Sequence, residues 1–171
     1  MATTTPLNGW PVPTSTDYVK DGATSIEALG DAIDTSVGEG LLAWKSWAPT
    51  LSGGWANGNG VWSAKYAQIG KIVIANGFFT LGSTTTKGTI LQVSLPVNAK
   101  DTLPIAGTGT MNVAGSSTFI ANVAIQSVST FRINALNAAG TYANAVSVTA
   151  TVPATWVTSD TFRFQITYEA D

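Results

Sequence analysis

Residues 161–169, TFRFQITYE, alternate strictly between apolar and polar side chains. Phe162, Phe164, Ile166 and Tyr168 fall on one face of an extended chain, and the intervening residues fall on the other. Side chains of a β-strand point alternately to opposite faces, so this pattern predicts a strand with one buried face and one solvated face. Such strands are typical of antiparallel sheets.

The same period of two recurs throughout the chain from Trp44 onward. It is clear in four further segments, VSVTATV (146–152), TFIANVAIQSV (118–128), FRINAL (131–136) and TILQVSLP (89–96). The segment VWSAKYAQIGKIVIANGFFTL (61–81) predicts two strands folded back at residues 68–71. Eight or nine short strands separated by glycine-rich turns predict an all-β fold, an antiparallel, jelly-roll-like β-sandwich over residues 44–171.

The first 40 residues have a different composition. Residues 1–17 hold three prolines and many threonines without a period, which predicts an extended arm, ordered only on a partner or not at all. Residues 21–37 have the helical period. Thr24 and Glu27 match a capping box, Asp21 is a rival N-cap, and the glycines at 38 and 40 predict the end of the helix. We therefore expect an arm and a helix within residues 1–40, followed by the sandwich.

The predicted helix carries a seven-residue apolar repeat. Its members are Val19, Ile26 and Ile33, with Leu29 at the intervening position and Val37 after them. A helix this short is marginal in water unless its apolar stripe is covered. Two coverings are open: the stripe packs on its own domain, or it forms a seam between copies of the chain. We favour the seam between copies, because the helix lies between a proline-rich arm and a glycine break. The residues do not fix the number of copies.

Charge and hydropathy exclude several classes of protein. The formal net charge is −2, only 11% of residues are charged, and the eight Lys and Arg are scattered singly. Nucleic-acid binding is therefore not expected, since it requires clustered basic residues. No apolar run approaches the roughly 20 residues that span a bilayer, and the N-terminus lacks the pattern of a secretory signal. We expect no membrane insertion and synthesis in a cytoplasm.

The chain has no histidine and no cysteine. This removes disulfides, Ser-His-Asp and Cys-His catalysis, and zinc sites of the usual ligand set. Ten carboxylates remain, but six lie in the first 40 residues, outside any cleft that the sheet would form. We expect the protein not to be an enzyme and to hold neither a cofactor nor a metal.

Tryptophan is the unusual part of the composition, with six residues. Trp55 lies in the loop SGGWANGNG (52–60), where an exposed ring would stack on a sugar beside the amides of Asn57 and Asn59. These three residues are the candidate glycan contacts. Packing of Trp55 in the core is the equally weighted alternative. Trp44, Trp47 and Trp62 are expected to pack in the core or at an interface.

Three segments together resemble fibre and minor tail proteins of tailed bacteriophages. They are PTSTDYVKDGATSIEALGDAIDTSVG (13–38), YAQIGKIVIANGFFTLGSTTT (66–86) and FRFQITYEA (162–170). The resemblance implies a homotrimer in the virion, an N-terminal segment (here residues 1–17) attached to another virion protein, and a β-domain that binds host-surface glycans or decorates the particle. A capsid decoration or head fibre protein is a close variant. A monomeric carbohydrate-binding module and, less favoured, a depolymerising enzyme are the alternatives.

Overall fold

A computed structural model describes residues 3–6, 8–14, 18–40, 43–114 and 117–171. The chain divides into two compact units, residues 1–43 (unit 1) and residues 44–171 (unit 2). In the part of the chain that is described, no helix is long and apolar enough to cross a membrane.

Unit 1 begins with a small hairpin. Strand β1 (Thr3–Thr4) pairs antiparallel with β2 (Pro11–Val12). The Trp10 carbonyl accepts a hydrogen bond from the Thr5 amide at 2.9 Å, and Gly9 has a φ of +66°, which glycine adopts without strain. The predicted extended arm is therefore wrong for residues 3–6 and 8–12, because the chain reverses on itself. The predictions for residues 1, 2, 7 and 15–17 lie outside the described residues.

The helix α1 (Gly22–Gly40) follows a 3₁₀ turn, Val19–Asp21. Thr24 lies inside α1, so the predicted capping box is wrong. The 3₁₀ turn starts the helical path earlier, with the Asp21 amide donating to the Tyr18 carbonyl at 2.9 Å. The helix continues through residue 38 and ends at residue 40.

The hairpin contacts the second half of α1. The indole Nε1 of Trp10 donates a hydrogen bond to Ser36 Oγ at 3.0 Å, and Ser36 Oγ donates to the Ala32 carbonyl at 2.8 Å. The arm is thus folded onto its own helix at the turn that carries Ser36.

Unit 2 confirms the prediction of an all-β antiparallel fold in a chain with one short helix. Every strand pair in it is antiparallel. The ten described strands are β3 (Lys45–Ser46), β4 (Leu51–Ser52), β5 (Val61–Ile69), β6 (Ile72–Thr80), β7 (Gln92–Ser94), β8 (Leu103–Asn112), β9 (Thr118–Ser127), β10 (Thr130–Asn137), β11 (Asn144–Ser147) and β12 (Thr161–Glu169). Their order across the sheet is β3-β5-β6-β12-β8-β9-β10-β7-β4, with β11 also paired to β10.

The connection between β3 and β4 forces this sheet to curl. These two strands lie at opposite ends of the nine-strand order, which would span about 38 Å if the sheet were flat. Yet Ser46 and Leu51 are five residues apart, and five residues reach at most about 17 Å. The two ends of the sheet must therefore approach each other, and the curled sheet encloses the core.

Phe164 lies at the centre of that core. Its partners on the two neighbouring strands are both glycines, Gly77 on β6 and Gly109 on β8. A Cβ atom added at Gly77 would come within 2.5 Å of the Phe164 ring, so the ring occupies the space that a side chain would need. The ring also packs against Phe131 at 4.7 Å and Trp47 at 5.9 Å between centroids.

Tyr168, the last inward residue of β12, makes the stability of the fold sensitive to high pH. Its hydroxyl donates to the Val97 carbonyl at 2.7 Å, and burial raises the pKa of Tyr168 to about 12. The pKa in the unfolded chain is about 10. The folded state therefore prefers the neutral phenol, and the stability that this preference contributes is complete below pH 10 and is lost as the pH rises towards 12.

We expect the free energy of unfolding to fall more steeply between pH 10 and pH 12 in the wild type than in Tyr168→Phe. Denaturant titrations at a series of pH values measure both proteins. All other ionisable groups are the same in both proteins, so their contributions cancel in the difference. Parallel curves would contradict the assignment to Tyr168.

Candidate functional site

The candidate glycan residue Trp55 is buried. Only 3% of it is exposed, and its ring packs edge-on against Trp156 at 5.9 Å. The turn before it contains Gly53 and Gly54, both with positive φ, which directs the chain back towards the core. The expectation of a solvent-facing ring is therefore wrong, and the alternative, in which Trp55 packs in the core, is correct.

The two candidate asparagines hold loops together. Asn57 Oδ1 accepts from the Leu51 amide at 3.0 Å, and its Nδ2 donates to the Pro49 carbonyl at 3.0 Å. Asn59 Oδ1 accepts from the amide of Thr84 at 2.9 Å, and its Nδ2 donates to Ser83 Oγ. Since these amides are already used within the fold, Trp55, Asn57 and Asn59 do not make a sugar site together.

A different set of polar side chains lies on the outer face of the sheet. Six residues, one on each of six adjacent strands, stand directly opposite one another in the strand register. We call this set the polar row, and in order across the sheet it comprises Lys65, Asn76, Gln165, Thr108, Asn122 and Asn134. The residues that alternate with them along the strands, such as Ala75, Ile166 and Val123, are buried in the core.

Most of the hydrogen-bonding capacity of the polar row is unused. Among the described residues, the side chains of Asn76, Gln165 and Thr108 form no hydrogen bond, and the buried Oδ1 of Asn122 has no partner. Buried polar atoms normally find a partner, in the protein, in water or in a ligand. The row thus differs from the loop asparagines, whose amide oxygens and nitrogens both bond to neighbouring loops.

An open groove of about 380 Å³ crosses the middle of the row. Thr110 and Arg163 extend its lining beyond the row itself. The Arg163 guanidinium lies 4.4 Å from the centre of the Phe78 ring on the neighbouring strand, a cation–π contact that orients its N–H groups. The groove therefore offers amide, hydroxyl and guanidinium donors on one surface.

Trp44 is the exposed tryptophan of unit 2 that the sequence did not single out. It is 47% exposed, and the Lys65 ammonium lies 4.9 Å from its ring centre, at one end of the polar row. Trp47 and Trp62 pack in the core, as expected, whereas Trp44 does not. The spacing of Trp44 and Trp47 could have predicted this difference, because residues three apart in a strand face opposite sides of the sheet.

The charge around the polar row is positive. Unit 2 contains seven Lys and Arg against four Asp and Glu, a formal side-chain charge of +3, while unit 1 contains one against six. Glu169 is the only carboxylate among the described residues of the six strands. It is paired with Lys100 at 3.0 Å. Lys65 and Arg163 therefore face solvent, and no carboxylate in the described part of the chain pairs with them.

The predicted seam residues of α1 divide into two adjacent stripes. Ile26, Ile33 and Val37 are exposed in the single chain, Ile26 at 63%, and we call these three the exposed stripe. Leu29 is half-buried on the neighbouring stripe, which also carries Ser36, the residue bonded to the hairpin. Val19 is exposed in the 3₁₀ turn, one turn before the stripe.

No group of three or more acidic side chains within the described ranges is close enough to hold a metal ion. The polar row and the exposed stripe are two surfaces of the described residues that have capacity to bind partners. No protein-family model, no curated protein and no solved structure matches the chain.

Proposed function

We propose that this chain is a structural protein of a tailed-bacteriophage virion, a trimeric fibre or minor tail protein. Unit 1 joins three copies and attaches them to another virion protein through residues 1–17, and unit 2 is displayed to the host or solvent. The observation that carries the proposal is the exposed stripe on α1. The number of three copies and the location in the virion come from the resemblance to phage fibre and tail proteins.

The exposed stripe has the chemistry of a helix–helix interface. Its three β-branched side chains lie on one side of the 19-residue helix, while Asp31 and Thr35 lie on the far side. Such a stripe leaves apolar area in water at a cost of about 25 cal/mol per Å². Packing against the same stripe of two sister chains removes that area from water, as in a short coiled coil with β-branched residues at its core positions.

Replacing Ile33 by aspartate should abolish the association. The charge would be buried between three helices, which is strongly unfavourable. Light scattering at micromolar concentration should give three times 17.7 kDa for the wild type and 17.7 kDa for Ile33→Asp.

Thr35→Asp is the matched control, because it places the same charge on the opposite side of α1, and it should remain trimeric. Circular dichroism checks that α1 persists in each protein. A wild-type monomer with an intact helix would overturn the trimer.

The monomeric carbohydrate-binding module is the second candidate, and the polar row with the exposed Trp44 favours it. This candidate predicts polysaccharide binding by a 17.7 kDa species. A capsid decoration or head fibre role shares the trimer with the first proposal, and antibody labelling of the particle distinguishes the head from the tail. We propose no enzymatic activity, so incubation with host polysaccharide should release no new reducing ends.

A further inference from the structure

We infer that the polar row, with Arg163 beside it and Trp44 at its end, binds a linear acidic polysaccharide whose sugars carry carboxylates. This inference deepens the proposed function and rests on it, because it assigns a ligand class and a site to the displayed unit 2. It differs from the sugar site expected in the glycine-rich loop, where Trp55 is buried and both asparagine amides bond to neighbouring loops.

The shape of the site fits a chain-like ligand. The polar row crosses six strands, and with about 4.8 Å between strands it extends for about 24 Å. Its middle, at Asn76, Gln165 and Thr108, forms an open groove of about 380 Å³, whereas Asn134 at one end is buried. A small molecule is usually enclosed in a pocket, whereas a line of this length suits an extended polymer lying on the surface.

The polar groups suit sugar hydroxyls. Asn76 and Gln165 each present a donor and an acceptor, and Thr108 presents a hydroxyl that does both. None of the hydrogen bonds formed within the described residues uses these groups of Asn76, Gln165 or Thr108. They would exchange hydrogen bonds with water for hydrogen bonds with a ligand, without breaking contacts of the fold.

The charge selects an acidic polymer over a neutral one. The planar guanidinium of Arg163 presents paired N–H donors that match a carboxylate. Its central carbon lies 4.4 Å from the centre of the Phe78 ring, and this contact orients the guanidinium. Lys65 adds a second positive charge two strands away in the sheet order. Glu169, on the same strand as Arg163, is already neutralised by Lys100. Nucleic acid is a poorer match, since it needs a longer run of basic residues.

The exposed ring of Trp44 completes the site. Aromatic faces pack against the apolar C–H face of a sugar ring, and the ammonium of Lys65 lies 4.9 Å from the centre of this ring. A sugar unit on Trp44 would therefore place its carboxylate near Lys65, at the end of the row remote from Asn134.

Calorimetric titration of the full chain with defined probes tests the inference. The probes are oligosaccharides of alginate, hyaluronate and polysialate, with dextran as the neutral comparison. We expect binding of at least one acidic probe and none of dextran. Arg163→Gln should weaken that binding about tenfold, and Gln165→Ala and Trp44→Ala several-fold, in line with the loss of a charged or neutral hydrogen bond or a stacking contact.

Lys71→Gln is the matched control. It removes the same unit of charge from the exposed turn between β5 and β6, away from the row, and should leave the affinity unchanged. A folded wild type that binds none of the acidic probes would overturn the inference. Equal binding of dextran, or binding that Arg163→Gln and Gln165→Ala leave intact, would also overturn it.

Light scattering on the same variants separates this inference from the proposed trimer. If the row variants lower the oligomeric mass instead of the glycan affinity, the occupant is the acidic unit 1 of a second copy, and the polysaccharide is excluded. A trimer that binds no acidic polysaccharide refutes only the ligand. A monomer that binds it refutes only the trimer.

Discussion

Replacing Phe164 by alanine should lower the free energy of unfolding by about 4 kcal/mol, within the range typical of a buried Phe→Ala change. The ring is 4% exposed and packs against the aromatic rings of Trp47, Trp62 and Phe131. Its flanking residues on both neighbouring strands are glycines, which have no side chain to move into the cavity. The site therefore cannot collapse, so the cost should not fall to the lower end of the range.

Equilibrium unfolding in urea measures this prediction, with Phe78→Ala as the control. Phe78 lies next to Gly77 on the outer face, where its ring is half-buried and contacts Arg163. Its removal deletes the same number of atoms without opening a core cavity, so we expect a cost of about 1 kcal/mol. If the two variants were equally stable, Phe164 would not be the centre of the core.

The strand that contains Phe164 also shows which parts of the fold can be predicted from the sequence. In β12 the alternation alone identified the four inward residues, because a strand with one buried face must repeat with a period of two. The pair β5 and β6 was predicted for the same reason, with its turn within residues 68–71, and the structure has it between Ile69 and Ile72. The local sequence pattern is enough to predict a strand where the strand is long and one of its faces is buried.

The sequence pattern did not predict the features that depend on contacts between distant parts of the chain. Nothing in SGGWANGNG distinguishes an exposed Trp55 from a buried one, because its burial depends on Trp156, a hundred residues later. The hairpin in the arm escaped detection because its strands are two residues long, too short for a period. The start of α1 was misplaced because a 3₁₀ turn carries no distinct composition.

The polar row was beyond sequence reasoning for a topological reason. Its members come from strands in the order β5, β6, β12, β8, β9 and β10, so the closing strand of the chain lies between strands about 80 and 50 residues before it. Only the register of non-sequential pairs aligns Asn76, Gln165 and Thr108. Each of them alone is an ordinary solvent-facing residue, and the candidate site exists only in their alignment.

A buried carboxylate supports the other end of the β12 strand and underlies the second large prediction. Asp160, 1% exposed, precedes β12. Its Oδ1 accepts from the Ala114 amide at 2.8 Å and its Oδ2 accepts from the Val157 amide at 2.6 Å. One side chain thus ties the end of β8 to the start of β12, and Ser159 before it has a φ of +74° that the turn imposes.

Asp160→Ala should therefore lower the free energy of unfolding by about 3 kcal/mol, because it leaves two backbone amides without their acceptor in a buried site. Asp160→Asn should lose about half as much, since the amide keeps one acceptor oxygen and turns its NH₂ group towards the other amide donor. The control is Asp101→Ala, which removes an exposed turn carboxylate and should change stability by less than about 0.5 kcal/mol. Urea titration ranks the three variants. An Asp160→Ala protein as stable as Asp101→Ala would mean that water replaces the carboxylate, and that the junction between β8 and β12 is held by the strand pairing alone.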